Sequence, residues 1–227
     1  MDGISFEGRV AIVTGAGGGL GRTHALDLAA RGAKVVVNDL GGTIAGTGGG
    51  TAMADHVVTE IIDAGGQAVA NYDSVATPEG GKAIMQTALD AYGTVDILIN
   101  NAGNIRNAPF TELTPDSIEA LLAVHVKGAF YVTQPAFAVM RDKGYGRIVF
   151  TSSASGVFGN PEQANYGAAK GAVLGLANVV ALGEGWHVAA DEPLATADDV
   201  RRHIARIRDQ DGYHVPGSLI EEAGLIP

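Results

Sequence analysis

Val10–Thr14 reads VAIVT, and GAGGGLG follows it without a break at Gly15–Gly21. The first stretch is short, apolar and β-branched, as a strand covered on both faces should be. The glycines let the backbone turn and approach a pyrophosphate closely. A helical stretch from about Leu20 to Arg31 presents free N–H groups to the same anion. A glycine-rich turn alone is a weak signal. Placed directly after an apolar strand and ahead of a helix, it is a strong one. No Lys–Ser/Thr pair follows, so the turn is not a Walker A loop. Gly15, Gly19, Leu20 and Gly21 are the residues expected around the phosphates.

The same alternation continues outward. Val35–Asn38, Ala68–Tyr72, Val95–Asn100 and Ile148–Thr151 read as further strands. Between them lie a glycine-rich loop at Gly41–Gly50, a helix at Met53–Asp63, and a helix capped by Thr77 with Pro78 in its first turn. Thr114–Pro115 repeats that start signal before one long helix reaching about Met140, which Pro135 is expected to bend. Tyr166–Leu182 is a last helix of this series. Short apolar strands separated by helices indicate an α/β fold, a Rossmann-like three-layer sandwich with a parallel sheet. Residues 1–182 are expected to form one cofactor-binding and catalytic core. Residues 183–227 read as a tail with one helix at about Ala197–Asp209, not an independent domain. No β-branched run follows residue 182, so the sheet reads as truncated after strand five.

Composition narrows the function. Of 227 residues, 46 % are apolar and 18 % charged, which fits a folded globule. Twenty-five acidic residues against fifteen Lys and Arg give a net charge of −10, which disfavours nucleic acid and anionic membrane surfaces. With no Cys there is no disulfide, thiol nucleophile or Cys-ligated metal, and no metal is expected. No apolar run is long enough to span a membrane and no leader pattern opens the chain, so the expected place is the cytoplasm.

Asp39 stands just past the second strand, where a carboxylate meets the adenosine ribose hydroxyls and repels a 2′-phosphate. NAD is therefore expected over NADP, with Arg22, Arg31 and Lys34 the nearest bases that argue the other way. Asp73 and Val75 follow the third strand and could hold the adenine amino group and ring; a plain loop role is the alternative. Asn101, Ala102 and Gly103 end the fourth strand, where small residues let the chain pass beside the cofactor and Asn101 could tie neighbouring strands. Tyr166 and Lys170 are four apart on a helix and share a face. A free tyrosine, with a pKa of about 10, is a poor base at neutral pH. Positive charge from Lys170 and an oxidised nicotinamide favours its phenolate. Tyr166 could then take the proton of an alcohol while Ser153, in the loop after strand five, donates to the same oxygen.

These motifs make the chain recognisable. Thr14–Gly21 (TGxxxGxG), Asn100–Gly103 (NNAG), and Tyr166–Lys170 (YxxxK) with Ser153 thirteen residues before the tyrosine resemble the short-chain dehydrogenases/reductases over about residues 6–182. The stretches VVVNDLGG (35–42), YGRIVFTSSASGVFGN (145–160) and QANYGAAKGAVLGLAN (163–178) resemble the (3R)-hydroxyacyl-CoA dehydrogenase branch of that family. The resemblance implies NAD-dependent interconversion of a secondary alcohol and a ketone. The substrate it implies is a small lipid or acyl-CoA, a (3R)-hydroxyacyl-CoA first and a hydroxysteroid second. Many members carry Asn in the long helix as part of a water-mediated proton relay; here His125 occupies or adjoins that place, as relay or as packed helix residue.

The family continues past the Tyr/Lys helix with a sixth strand, a substrate loop and a seventh strand, which the tail cannot supply. A non-catalytic NAD-binding or assembly subunit is therefore the alternative function. The helix at about Ala168–Leu182 is apolar around more than one face, and family members pair it with the helix at about Pro115–Met140. A homodimer or homotetramer is expected.

Overall fold

The computed structural model describes residues 4–182. The tail, including the helix expected at Ala197–Asp209, lies outside the described residues. Five strands, β1 (Val10–Thr14), β2 (Lys34–Asn38), β3 (Gln67–Asn71), β4 (Ile97–Asn100) and β5 (Arg147–Phe150), form one parallel sheet in the order β3-β2-β1-β4-β5. Helices α1 (Gly19–Ala30), α2 (Ala52–Asp63) and α3 (Pro78–Tyr92) fill the first crossovers. The later ones hold α4 (Pro115–Leu121), a π-helical segment (Leu122–Lys127), α5 (Gly128–Asp142), the short α6 (Ala154–Val157) and α7 (Ala164–Leu182).

The strand alternation builds the three layers. Ala11, Val13, Val35, Val37, Ile97 and Ile99 share one core with Leu28, Val57 and Ile61 of α1 and α2. Val10, Ile12, Val36 and Leu98 share the other with Ile84 and Met85 of α3 and Val132 and Met140 of α5. β1 is buried along its whole length because it lies between β2 and β4. The chain leaves β1 toward β2 and β3, then crosses to β4 on the other side. That reversal opens a crevice at the carboxyl ends of β1 and β4, where open α/β sheets bind ligands. At the opposite end Asp96 fastens β4 to β1. Its carboxylate accepts from Val10 N–H at 2.9 Å, Arg9 at 3.0 Å and Lys143 at 2.8 Å.

Thr77 and Thr114 cap their helices as their positions suggest, accepting from Gly80 N–H and Ser117 N–H. The chain is helical without a break from Pro115 to Asp142, as the expected helix to Met140 requires, but its winding changes inside. Regular α-helix gives way at Leu122–Lys127, not at Pro135, which α5 contains. The wide turn surrounds His125, whose buried ring bonds the main chain of Asn104. Such π-turns are frequent at functional sites.

Candidate active site

The phosphate loop is set by close approaches. A Cβ on Gly21 would lie 2.1 Å from the Gly15 carbonyl oxygen, and one on Gly17 would lie 2.8 Å from Asp39 Oδ2. Neither position admits a side chain. α1 begins on Gly18 with no side-chain cap, and its first turn holds no acid. The open N–H groups of Gly19, Leu20 and Gly21 thus suit an anion. Nothing lies within 4 Å of the Cβ position of Gly19, and Leu20 is exposed, so the loop has room for a dinucleotide phosphate. Asn101 ties β4 to β1, donating from Nδ2 to Thr14 O at 3.0 Å and Gly15 O at 3.1 Å. Thr14 Oγ1 accepts from the N–H groups of Asn101 and Ala102.

Asp39 stands at the end of β2 with both oxygens engaged. Oδ2 accepts from Gly17 N–H at 2.8 Å and Oδ1 from Gly41 N–H at 2.7 Å. A carboxylate offers about four acceptor positions, so capacity for ribose hydroxyls remains. Arg22, the base closest in sequence to the loop, is held by Glu60 of α2. Asp73 is exposed and accepts from Asn71 Nδ2 at 2.8 Å. Val75 is buried in the core with α3 and α5, against Gly128.

Tyr166, Lys170 and His125 come together on α7 and the π-helical segment. Lys170 is buried and donates from Nζ to the Thr151 carbonyl at 2.6 Å. Its ammonium lies 5.6 Å from the Tyr166 ring centre. The His125 ring meets the Tyr166 ring edge-on, with centres 5.4 Å apart. His125 Nε2 faces both the N–H and the carbonyl of Asn104, at 3.1 and 2.8 Å, so the tautomer decides which it bonds. Gly103 makes room for this ring, since a Cβ there would lie 2.5 Å from His125 Cε1. Burial, then the charge of Lys170, pushes His125 down to about 4, against the opposing Asn104 bond. Burial also pushes the Lys170 ammonium down to about 8.

A cavity of about 10 Å³, lined by Asn100, Ala102, His125, Thr151, Lys170 and Val173, lies within this group. It is large enough for about one water. His125 Nδ1 and Asn104 Oδ1 are buried without a partner. Ser153 is placed differently. It caps α6, accepting from Ser155 N–H at 3.2 Å, and no hydrogen bond joins it to Tyr166.

Five residues of the site escaped the sequence reading: Gly17, Asn104, Arg106, Thr151 and Asn165. Asn165 is buried, donates to Arg106 O at 2.9 Å, and accepts the Tyr166 N–H at 2.8 Å on its Oδ1. The signals available were adjacency to NNAG and to Tyr166, and for Gly17 its place inside the loop itself. Among the described residues no cluster of His, Asp and Glu could hold a metal, and no helix is long and apolar enough to cross a membrane.

Residues 9–188 match the family model described as short chain dehydrogenase. The chain is 53 % identical over 178 residues to peroxisomal multifunctional enzyme A of Dictyostelium discoideum, covering 78 % of this chain and 40 % of that protein. It is 51 % identical over 179 residues to peroxisomal multifunctional enzyme type 2 of Mus musculus, covering 79 % and 24 %. The match thus spans less than half the length of either relative. Among solved structures, NAD⁺-bound xylitol dehydrogenase is similar at 31 % identity and a TM-score of 0.72, covering 79 % of this chain and 66 % of that one. The parallel sheet, the glycine loop at its switch point and the Tyr166–Lys170 pair agree with these likenesses: the chain belongs to the short-chain dehydrogenase family of oxidoreductases.

Proposed function

We propose that the chain interconverts a secondary alcohol and its ketone with NAD, on a (3R)-hydroxyacyl-CoA first and a hydroxysteroid second. The observation that carries the reading is the grouping of Tyr166, Lys170 and His125 at the carboxyl end of the sheet, beside the open N-terminus of α1. Gly19, Leu20 and Gly21 hold the pyrophosphate, and Asp39 the adenosine ribose. Asp73 stands by the adenine. Asn101, Ala102 and Gly103 form the wall beside the nicotinamide. The nicotinamide, when bound, supplies the two-electron redox chemistry at the carbinol carbon.

Tyr166 takes the alcohol proton in oxidation and returns it in reduction. Lys170 sets its ammonium 5.6 Å from the Tyr166 ring centre, on the same face of α7. Ser153 turns its O–H to the substrate oxygen while its lone pair keeps the α6 cap. His125, neutral at working pH, passes the proton onward from the buried side. NAD is favoured over NADP because Asp39 repels a 2′-phosphate while Arg22 is occupied by Glu60. The substrate class rests on the likeness to the multifunctional enzymes alone.

The test is NADH formation from (3R)- and (3S)-hydroxyacyl-CoA. Oxidation of the (3R) form, lost in Tyr166→Phe with NAD binding retained, is the expected result. Near-normal turnover in that variant would remove the proposed base. The exposed Val149 on β5, the outer strand among the described residues, favours a second reading, a non-catalytic NAD-binding or assembly subunit. NAD binding without turnover of any alcohol would select it. Cytoplasmic location is part of the proposal, and recovery of the protein in isolated peroxisomes would overturn it.

A further inference from the structure

Residues 39–51 join β2 to α2, and they do not stay on their own side of the sheet. This strap closes on itself at its base, where Gly50 N–H donates to Leu40 O at 2.9 Å. It closes again inside, where Thr43 N–H donates to Thr47 O at 2.8 Å. Its tip reaches the segment after β4. Ile105 N–H donates to Ile44 O at 3.0 Å, and Arg106 Nε to Ala45 O at 3.0 Å. β2 and β4 lie on opposite sides of β1. The strap therefore crosses the carboxyl end of β1, over the mouth of the crevice that the phosphate loop lines.

Both anchorages lead to the site. At the base, Asp39 accepts from the strap's Gly41 N–H and from the phosphate loop's Gly17 N–H. At the tip, Arg106 is held by Asp116 at 2.7 Å, and its carbonyl accepts from Asn165, the neighbour of Tyr166. The attachment is nevertheless light. Ile44 at the tip is 76 % exposed, and the strap is exposed along most of its length. Segments with few buried apolar contacts open at low cost. Gly46 fits the tip against Asn104, since a Cβ there would lie 2.6 Å from Asn104 Nδ2.

We propose that residues 40–50 are a clasp over the bound dinucleotide, with Arg106 as its latch, and that it holds the cofactor between turnovers. The inference rests on the dinucleotide reading above. Arg106 is a positioning residue in it, because it touches the strap and not the cofactor.

The test is displacement of NADH by excess NAD⁺, followed by stopped-flow fluorescence. Arg106→Ala removes the latch, and Gly46→Val drives the tip away from Asn104 while keeping Arg106. Each variant, with wild-type circular dichroism, should release NADH about tenfold faster with no slower association, since changed contacts register mostly in dissociation. In the unaltered chain, saturating NADH should slow hydrogen exchange at the Gly50 and Ile105 amides. NADH bound by the unaltered chain but released at one rate by all three proteins would overturn the clasp. So would unprotected exchange at both amides. No NADH binding by the unaltered chain would instead overturn the dinucleotide reading itself.

Discussion

His125 and Asp96 are buried polar side chains that respond to acid in different windows. His125 is held down to about 4, below its ordinary value, so the unfolded chain takes up a proton at higher pH than the folded one. Stability is therefore lost as pH falls from about 6.5 toward 4. Burial opposes the charge on Asp96, but hydrogen bonds from Lys143, Val10 N–H and Arg9 outweigh it and hold the carboxyl low. Its contribution is present above the usual carboxylate range and is lost only below about pH 4. Replacing His125 by Gln should thus remove about 2 kcal/mol of the stability lost between pH 7 and pH 5. Urea unfolding at both pH values checks this, and an unchanged pH slope would show that the ring is not held neutral. Asp39 offers a test on cofactor choice. NAD⁺ should bind at least about tenfold tighter than NADP⁺, or ~1.4 kcal/mol. Asp39→Ala should shrink that ratio in calorimetric titration; equal affinities in the unaltered chain would sink the assignment.

Helices α3 and α5 cover the same face of the sheet, and they do so at unusually close range. A Cβ on Gly81 would lie 2.3 Å from the Tyr131 carbonyl oxygen, which belongs to backbone and cannot swing aside. Gly81→Ala should therefore destabilise by about 1–3 kcal/mol despite its better helix propensity. A denaturation midpoint at or above that of the unaltered chain would refute the close packing. Elements of this kind show why parts of the fold were legible in the sequence. VAIVT matched β1 residue for residue because a buried parallel strand leaves an unbroken apolar run. Thr77–Pro78 and Thr114–Pro115 were legible because capping is local chemistry. The π-turn at Leu122–Lys127 was not, because it follows the meeting of His125 with Asn104, 21 residues away in the chain. The strap was read only as a glycine-rich loop, since its docking on Ile105 and Arg106 leaves no periodicity. The place of Val75 just after β3 was legible, but its packing against Gly128 was not, because no pattern near Val75 points to a residue 53 positions on.

Across the whole molecule, the question is what meets the apolar surface on the outside of α7. Val173 and Ala169 face the core, while Leu174 and Val179 do not, and Val179 is 68 % exposed. Ala172, Gly175 and Asn178 are also exposed, so the outer side of the helix is low as well as apolar. Ile118 of α4 and Phe130 of α5 add further exposed apolar surface. Exposed apolar surface on a helix of this kind suits an interaction, and small residues let a second helix approach closely. The expected occupant is a second copy of the chain, giving a homodimer or, with a further interface, a homotetramer. The alternative expectation, cover by the chain's own tail through Val200, Ile204 and Ile207, lies outside the described residues. Sedimentation at micromolar concentration separates the two. An oligomer that Val179→Glu converts to a monomer, with circular dichroism unchanged, is the expected result. A charge at an exposed position costs a monomer little, within about 0.5 kcal/mol, but is expensive when buried unpaired between two helices. A clean monomer in the unaltered chain would exclude the helix pair as a stable interface.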